Sequence, residues 1–174
     1  MTENRKVRVA DSVRGFSLPR YDEIPNVGLY LEQTAKYISE YLDCLGDFAL
    51  TRSMISNYVK KKIIDNPIKK QYYREQIIYL FFIAMAKSVL SLEDIRLMIH
   101  MQKMTYSGEE AYNYFVRELE NTLKIVFSGS NDFKDVGEQK SSEKTMLRNT
   151  VIAISHKVYL DVCFAQAREA QEEK

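Results

Sequence analysis

Residues 51–96, TRSMISNYVKKKIIDNPIKKQYYREQIIYLFFIAMAKSVLSLEDIR, carry a cap, a short helix, a basic turn, a long apolar helix and a second cap in one compact order. Thr51 is a good N-cap, because its hydroxyl can accept a backbone N–H from the first turn of a helix over residues 52–61. On that helix Ile55, Tyr58 and Val59 face inward, which leaves Arg52, Ser53, Ser56, Asn57 and Lys60 outside as a face of donors and charge. Asp65, Asn66 and Pro67 supply a turn, and Ile63, Ile64 and Ile68 on one side with Gln71 and Tyr72 on the other predict a small β-ribbon. The helix expected over 74–89 is apolar nearly all round, with Ile77, Ile78, Leu80, Phe81, Ile83 and Ala84, so it is buried on more than one side. Ser91 followed by Asp94 forms a capping-box pattern that starts the next helix.

Working outward, Leu31, Ala35, Ile38, Leu42 and Leu45 recur at helical spacing ahead of Gly46, with Tyr30, Tyr37 and Tyr41 as a second stripe on the rim of the core. Ser107 with Glu110 repeats the capping pattern before a helix through Tyr114, Leu119, Leu123 and Val126. Residues 128–142 are rich in Ser, Gly, Asn and Asp and read as a loop. A long helix over about 143–172 closes the chain. Its apolar positions Leu147, Val151, Ile154, Val158, Val162 and Ala165 form a stripe that packs on the body or on a second copy. No internal repeat is visible.

Composition favours one soluble, intracellular unit, since 174 residues with 45% hydrophobic content suffice for a core. The N-terminus lacks the apolar block of a signal peptide, and the longest apolar run, residues 77–86, is half of what spans a membrane, so a cytoplasmic protein without membrane contact is expected. Cys44 and Cys163 are expected as free thiols, each a small buried apolar group. The net charge of +1 conceals segregation: residues 52–74 hold seven bases (Arg52, Lys60, Lys61, Lys62, Lys69, Lys70, Arg74) against Asp65 alone. By contrast, residues 21–51 hold six acids against Lys36. The one strong positive field thus coincides with the short capped helix and its turn.

These same residues resemble the MerR-type DNA-binding domain: a capped helix with buried Ile55 and Tyr58, then Ile63 and Ile64, a basic wing, Tyr72, and the block EQIIYLFFIAMAKSVLSLEDI. More narrowly, residues 18–99, from LPRYDEIPNVGLY through SLEDIRLMI, look like the bacterial family called domain of unknown function 1836. The resemblance implies an all-α fold with a winged helix-turn-helix, a small β-wing and a helical C-terminal appendage, and it implies DNA binding. The MerR pattern has Gly where this chain has Lys62, just where a left-handed residue closes the helix. It has Ser or Thr where this chain has Tyr73, ahead of the third helix. The expected organisation is a flexible basic arm (1–19), a winged head (20–102) and a helical C-terminal region (103–174) for dimerisation or effector binding, with its loop at 128–142.

The functional expectation is a DNA-binding transcriptional regulator acting as a homodimer on double-stranded DNA. Ser53, Ser56 and Asn57 can exchange hydrogen bonds with base edges, Arg52 can take a guanine, and Lys60, Lys61, Lys62, Lys69, Lys70 and Arg74 can hold phosphates, with Tyr72 beside them. The competing reading is a helical adaptor whose acidic C-terminal half binds another protein and whose lysines are a solvated face. A third joins the two: Tyr106, Tyr112, Tyr114 and Phe115 line an apolar pocket for a small-molecule effector, or else are core. Enzyme chemistry is not expected. Cys44 has no His beside it, His100 and His156 lie in separate helices, and there is no Gly-rich phosphate loop and no GxSxG. The stretch 132–143 imitates a calcium loop at Asp132, Gly137 and Glu143 but has Lys134 and Val136 at the third and fifth ligand positions. No metal and no cofactor is implied.

Overall fold

The computed structural model describes residues 13–130, 132–133 and 141–172. Residues 1–12 of the expected arm and 134–140 of the expected loop, including Lys134, Val136 and Gly137, lie outside them. Among the described residues there are six α-helices and one two-stranded sheet. They are β1 (Leu29–Tyr30), α1 (Leu31–Leu42), α2 (Arg52–Lys60), β2 (Gln71–Tyr72), α3 (Arg74–Ala86), α4 (Leu92–Thr105), α5 (Gly108–Ser128) and α6 (Ser142–Glu172).

The all-round apolarity of α3 has the consequence expected of it. Every residue from Gln76 to Ala86 except Tyr79 is buried, and α1, α4, α5 and α6 all pack against this helix. Phe81 meets Tyr37 and Tyr41 of α1 edge-on at 6.0 and 5.9 Å, and Tyr112 of α5 at 6.1 Å. Phe82 meets Phe115 at 5.5 Å. Tyr37 and Tyr41 therefore rim the core as expected, while Tyr30, in β1, stands exposed.

The caps place the helix starts. Thr51 Oγ1 accepts from Met54 N at 3.1 Å, Ser91 Oγ from Asp94 N at 3.1 Å, and Ser107 Oγ from Glu110 N at 3.2 Å. At Tyr73, which has no capping hydroxyl, Gln76 replaces it from within the helix. Its Oε1 accepts from Tyr73 N at 2.7 Å and its Nε2 donates to the Asn66 carbonyl at 2.8 Å.

The wing differs from expectation in its partner. Ile63 and Ile64 are buried in the turn after α2 and form no strand; β2 pairs antiparallel with β1, Leu29 opposite Tyr72 and Tyr30 opposite Gln71. Gly28 permits this junction, because a Cβ there would stand 2.7 Å from Gln71 Cβ and 2.9 Å from the Tyr73 ring. Two further expectations are corrected. The arm is packed at its end: Leu18 is buried, its N–H donates to Glu120 Oε1 at 3.2 Å, and Arg20 pairs with Glu120 at 2.7 Å. Cys44 is exposed, because the 3-10 turn Asp43–Leu45 that ends α1 turns Leu45 inward instead, and Cys163 on α6 is half-buried.

Helix α5 and helix α6 run side by side in the same direction. Glu118 faces Arg148 at 3.5 Å, Thr122 shares a hydrogen bond with Ser155 at 2.7 Å, and Phe127 meets Tyr159 at 5.3 Å. Phe133 sits on this path, with His156 5.9 Å away and its carbonyl accepting from Arg148.

Lys62 closes α2 in the left-handed region at φ 56. Lys62 N donates to the Val59 carbonyl and Ile63 N to the Tyr58 carbonyl, both at 2.9 Å, which is a complete Schellman stop. A residue with a Cβ is strained there by about 1 kcal/mol. Lys62→Gly is therefore expected to raise the unfolding free energy by about 0.5–1 kcal/mol, read by urea denaturation.

Candidate nucleic-acid interface

Helix α2 has two faces set by its period. At 100° per residue, Arg52, Ser53, Ser56, Asn57 and Lys60 occupy an arc of about 140°, with Ile55 and Tyr58 on the opposite side. The structure follows this: Ile55 and Tyr58 are buried, Asn57 is half-buried, and Arg52, Ser53, Ser56 and Lys60 are exposed. The first helix of the pair, α1, packs behind α2 and leaves its outer face open. Arg52 is not wholly free, since Glu32 in the first turn of α1 lies 3.7 Å from its guanidinium. Both are exposed, so the pair contributes little.

The basic turn is shaped by its lysines. Ile68 N donates to the Gln71 carbonyl and Gln71 N to the Ile68 carbonyl, both at 2.9 Å, so Lys69 and Lys70 form a two-residue hairpin loop. Their φ values are 49 and 67, the double left-handed conformation that ordinarily selects Asn-Gly. With Lys62, these are the three non-glycine residues of positive φ among the described residues, and all belong to the basic segment. Lys60, Lys61, Lys62, Lys69 and Lys70 are exposed, and none has an ion-pair partner among the described residues. Asp65, the one acid in the segment, is held by Lys103 of α4 at 2.9 Å, which weakens its opposition to the lysine field.

Two expected contact residues do other work. Tyr72 is 4% exposed, its ring turned into the core from the strand pair, so it offers no surface to a nucleic acid. Arg74 spends its donors on the backbone: Nε and Nη2 reach the Ile24 carbonyl at 2.9 and 2.6 Å, Nη2 reaches the Asp22 carbonyl at 3.2 Å, and the guanidinium lies 5.0 Å over Tyr21. It fastens the segment before β1 to the start of α3. Ile68, expected in the ribbon opposite Gln71, does bridge that residue and stands 60% exposed next to the lysine pair. Its place at the hairpin tip follows from the loop geometry and has no signal in the apolar pattern.

A second concavity lies on the other side of α3. A cleft of about 680 Å³ between α3, α4, α5 and α6 is lined by Tyr79, Met98, Met101, Tyr106, Tyr114 and Met146, among others. Tyr112 and Phe115 also border it but are core residues, buried to 3% and 2%. Burial pushes the Tyr79 hydroxyl up to about 12, and it bonds Gln102 Oε1 at 3.0 Å. Lys144 lies over the rings of Tyr106 and Tyr114 at 5.1 and 5.6 Å. Among the described residues no three His, Cys, Asp or Glu side chains come together as metal ligands, and no helix is long and apolar enough to cross a membrane.

The sequence pattern described as Domain of unknown function (DUF1836) matches residues 19–115, more than half of the chain. The chain belongs to the DUF1836 family. No curated protein matches it, and no solved structure does. The DUF1836 segment ends two turns into α5, beyond both residue 99, where the visible resemblance stops, and the expected head boundary at 102. That end has a packing reason: Tyr112 and Phe115 are the α5 residues whose rings meet Phe81 and Phe82 of α3.

The two faces of α2 predict opposite responses to truncation. Ile55→Ala is expected to lower the unfolding free energy by about 3 kcal/mol, while Ser56→Ala stays within about 0.5 kcal/mol of the parent, as read by thermal melts followed by circular dichroism.

Proposed function

We propose that this DUF1836 protein is a DNA-binding transcriptional regulator that acts as a pair of copies on duplex DNA. Helix α2 would lie in the major groove as the second helix of a helix-turn-helix, with α1 behind it and the β1–β2 pair as the base of a MerR-like wing. Ser53, Ser56 and Asn57 would meet base edges, Arg52 would release Glu32 for a guanine, and Lys60, Lys61, Lys62, Lys69 and Lys70 would hold phosphates.

The observation that carries this reading is the backbone of the three lysines. A turn serving the fold alone would place Gly or Asn at positive φ, yet Lys62, Lys69 and Lys70 occupy all three such positions of the segment. Each costs about 1 kcal/mol of local strain, and each is exposed. Strain concentrated in residues of one charge and on one surface favours a polyanionic partner over a merely solvated face. The methionine-lined cleft adds support for a small-molecule effector, since its volume lies in the range of ligand sites.

Fluorescence anisotropy with labelled random and genomic duplexes tests the proposal. Binding at low salt is expected, with log affinity falling against log salt at a slope of about −4.5 for the five lysines of one head. The triple variant K60E/K61E/K62E is expected to lose at least about a hundredfold in affinity. Absence of binding to every duplex at low salt would sink the reading.

A further inference from the structure

Helix α6 is longer than the body it packs on. It meets the last turns of α5 where Phe127 touches Tyr159, and α5 ends at Ser128. Residues 160–172 continue for about 20 Å at 1.5 Å per residue, with Val162 and Cys163 on the inner side still packed on the core. The residues of α6 buried in this chain run from Thr150 to Val158 and stop there. Beyond them Leu160 and Phe164 stand 48% and 57% exposed. A helix end of this length is marginal in water on its own propensity, so an exposed apolar seam on it calls for a covering surface.

The seam has an internal symmetry of charge. Taken at 100° per residue, Leu160, Ala167 and Ala153 lie on one side of Phe164, and Lys157, Asp161, Arg168 and Glu172 lie on the other. If a second copy of the helix is laid antiparallel, with the two-fold axis between Phe164 and Ala165, Asp161 falls opposite Arg168 and Lys157 opposite Glu172. By symmetry each pair occurs twice. The same placement brings the two Phe164 rings together at the axis, with Leu160 and Ala167 beside them. In the single chain Lys157 and Asp161 bond each other at 2.5 and 2.6 Å, with side chains 41% and 43% exposed. An exposed pair of that kind is readily exchanged for one across the interface. No other placement of α6 against itself need be assumed to satisfy all four charges.

The geometry points to residues 157–172 of α6 as a self-pairing surface on which a second copy of this chain docks antiparallel, Asp161 to Arg168 and Lys157 to Glu172. This rests on the two-copy part of the function proposed above and gives it a surface and a register. The pairing is read without DNA, so its failure and that of the DNA reading are separable.

Sedimentation velocity on the full chain, over roughly 1 to 100 μM at low salt, provides the test. The parent is expected to dimerise. Asp161→Arg alone and Arg168→Glu alone, each setting like charges face to face twice, are expected to weaken the dimer about tenfold. The double variant D161R/R168E restores opposite charges and is expected to return to within about twofold of the parent. Phe164→Glu is expected to leave a monomer whose helical circular dichroism and melting match the parent. A parent that stays monomeric over the whole range overturns the proposal. So does a dimer indifferent to the single reversals, or one that the double variant fails to restore.

Discussion

Everything else in this molecule depends on the burial of α3 from both sides. A surface helix needs one apolar stripe, and α3 has apolar residues at nearly every position from Ile77 to Ala86, so it cannot be satisfied by α1 and α2 alone. The α1–α2 layer covers one side with Tyr37, Tyr41, Ile38 and Ile55, and α5 covers the other with Tyr112, Phe115 and Leu119. The expected head and C-terminal region therefore share one hydrophobic core. The DUF1836 segment reflects this by reaching residue 115, as far as the aromatic contacts with α3 require. The segment before β1 ties the same two parts from outside, Arg20 to Glu120 and Tyr21 N to Asn113 Oδ1 at 3.0 Å.

What the sequence made legible was local, and what it hid was not. The helix starts at Arg52, Leu92 and Gly108 were readable because Thr51, Ser91 and Ser107 act within one turn. The left-handed Lys62 was readable only through the resemblance, because the MerR pattern has Gly at this position and a Gly there closes a helix in the left-handed region. The pairing of Leu29–Tyr30 with Gln71–Tyr72 was not, since two-residue strands far apart in the chain carry no periodicity; of the three isoleucines that offered a nearer partner, Ile68 does bridge Gln71 across the turn, whereas Ile63 and Ile64 do not. Tyr72 was misassigned for the same reason: its inward direction is fixed by β1, which was not visible. Arg74 illustrates the other blind spot, because charge counts do not reveal that backbone carbonyls of residues 22 and 24 already occupy a guanidinium.

The hairpin at Lys69 and Lys70 is where local preference and observed structure disagree most. Elsewhere this chain obeys its own signals: Gly46 and Gly129 take positive φ at helix ends, and serine and threonine cap. A sequence consistent at most levels and inconsistent at one surface has its exceptions where folding is not the determining requirement. The exceptions here are all lysines, which separates them from random tolerance.

The basic segment bearing those lysines is also tied to the helices that border the cleft. Gln76 of α3 donates to the Asn66 carbonyl from a buried position, and Lys103 of α4 reaches Asp65 while its ammonium lies 5.0 Å over the Tyr79 ring. Tyr79 in turn bonds Gln102. Both Tyr79 and Gln102 line the cleft. The exposed Lys103–Asp65 pair is weak and the part-buried Gln76–Asn66 bond is stronger, so the turn at Asp65 and Asn66 is tied more firmly to α3 than to α4. A cleft occupant moves the wing only if it binds one spacing of α3 and α4 better than another, since equal affinity for both shifts nothing. The methionines at 98, 101 and 146 can adapt to an occupant of the cleft, and Lys103 is the group through which a change in that spacing would be felt at the lysine turn.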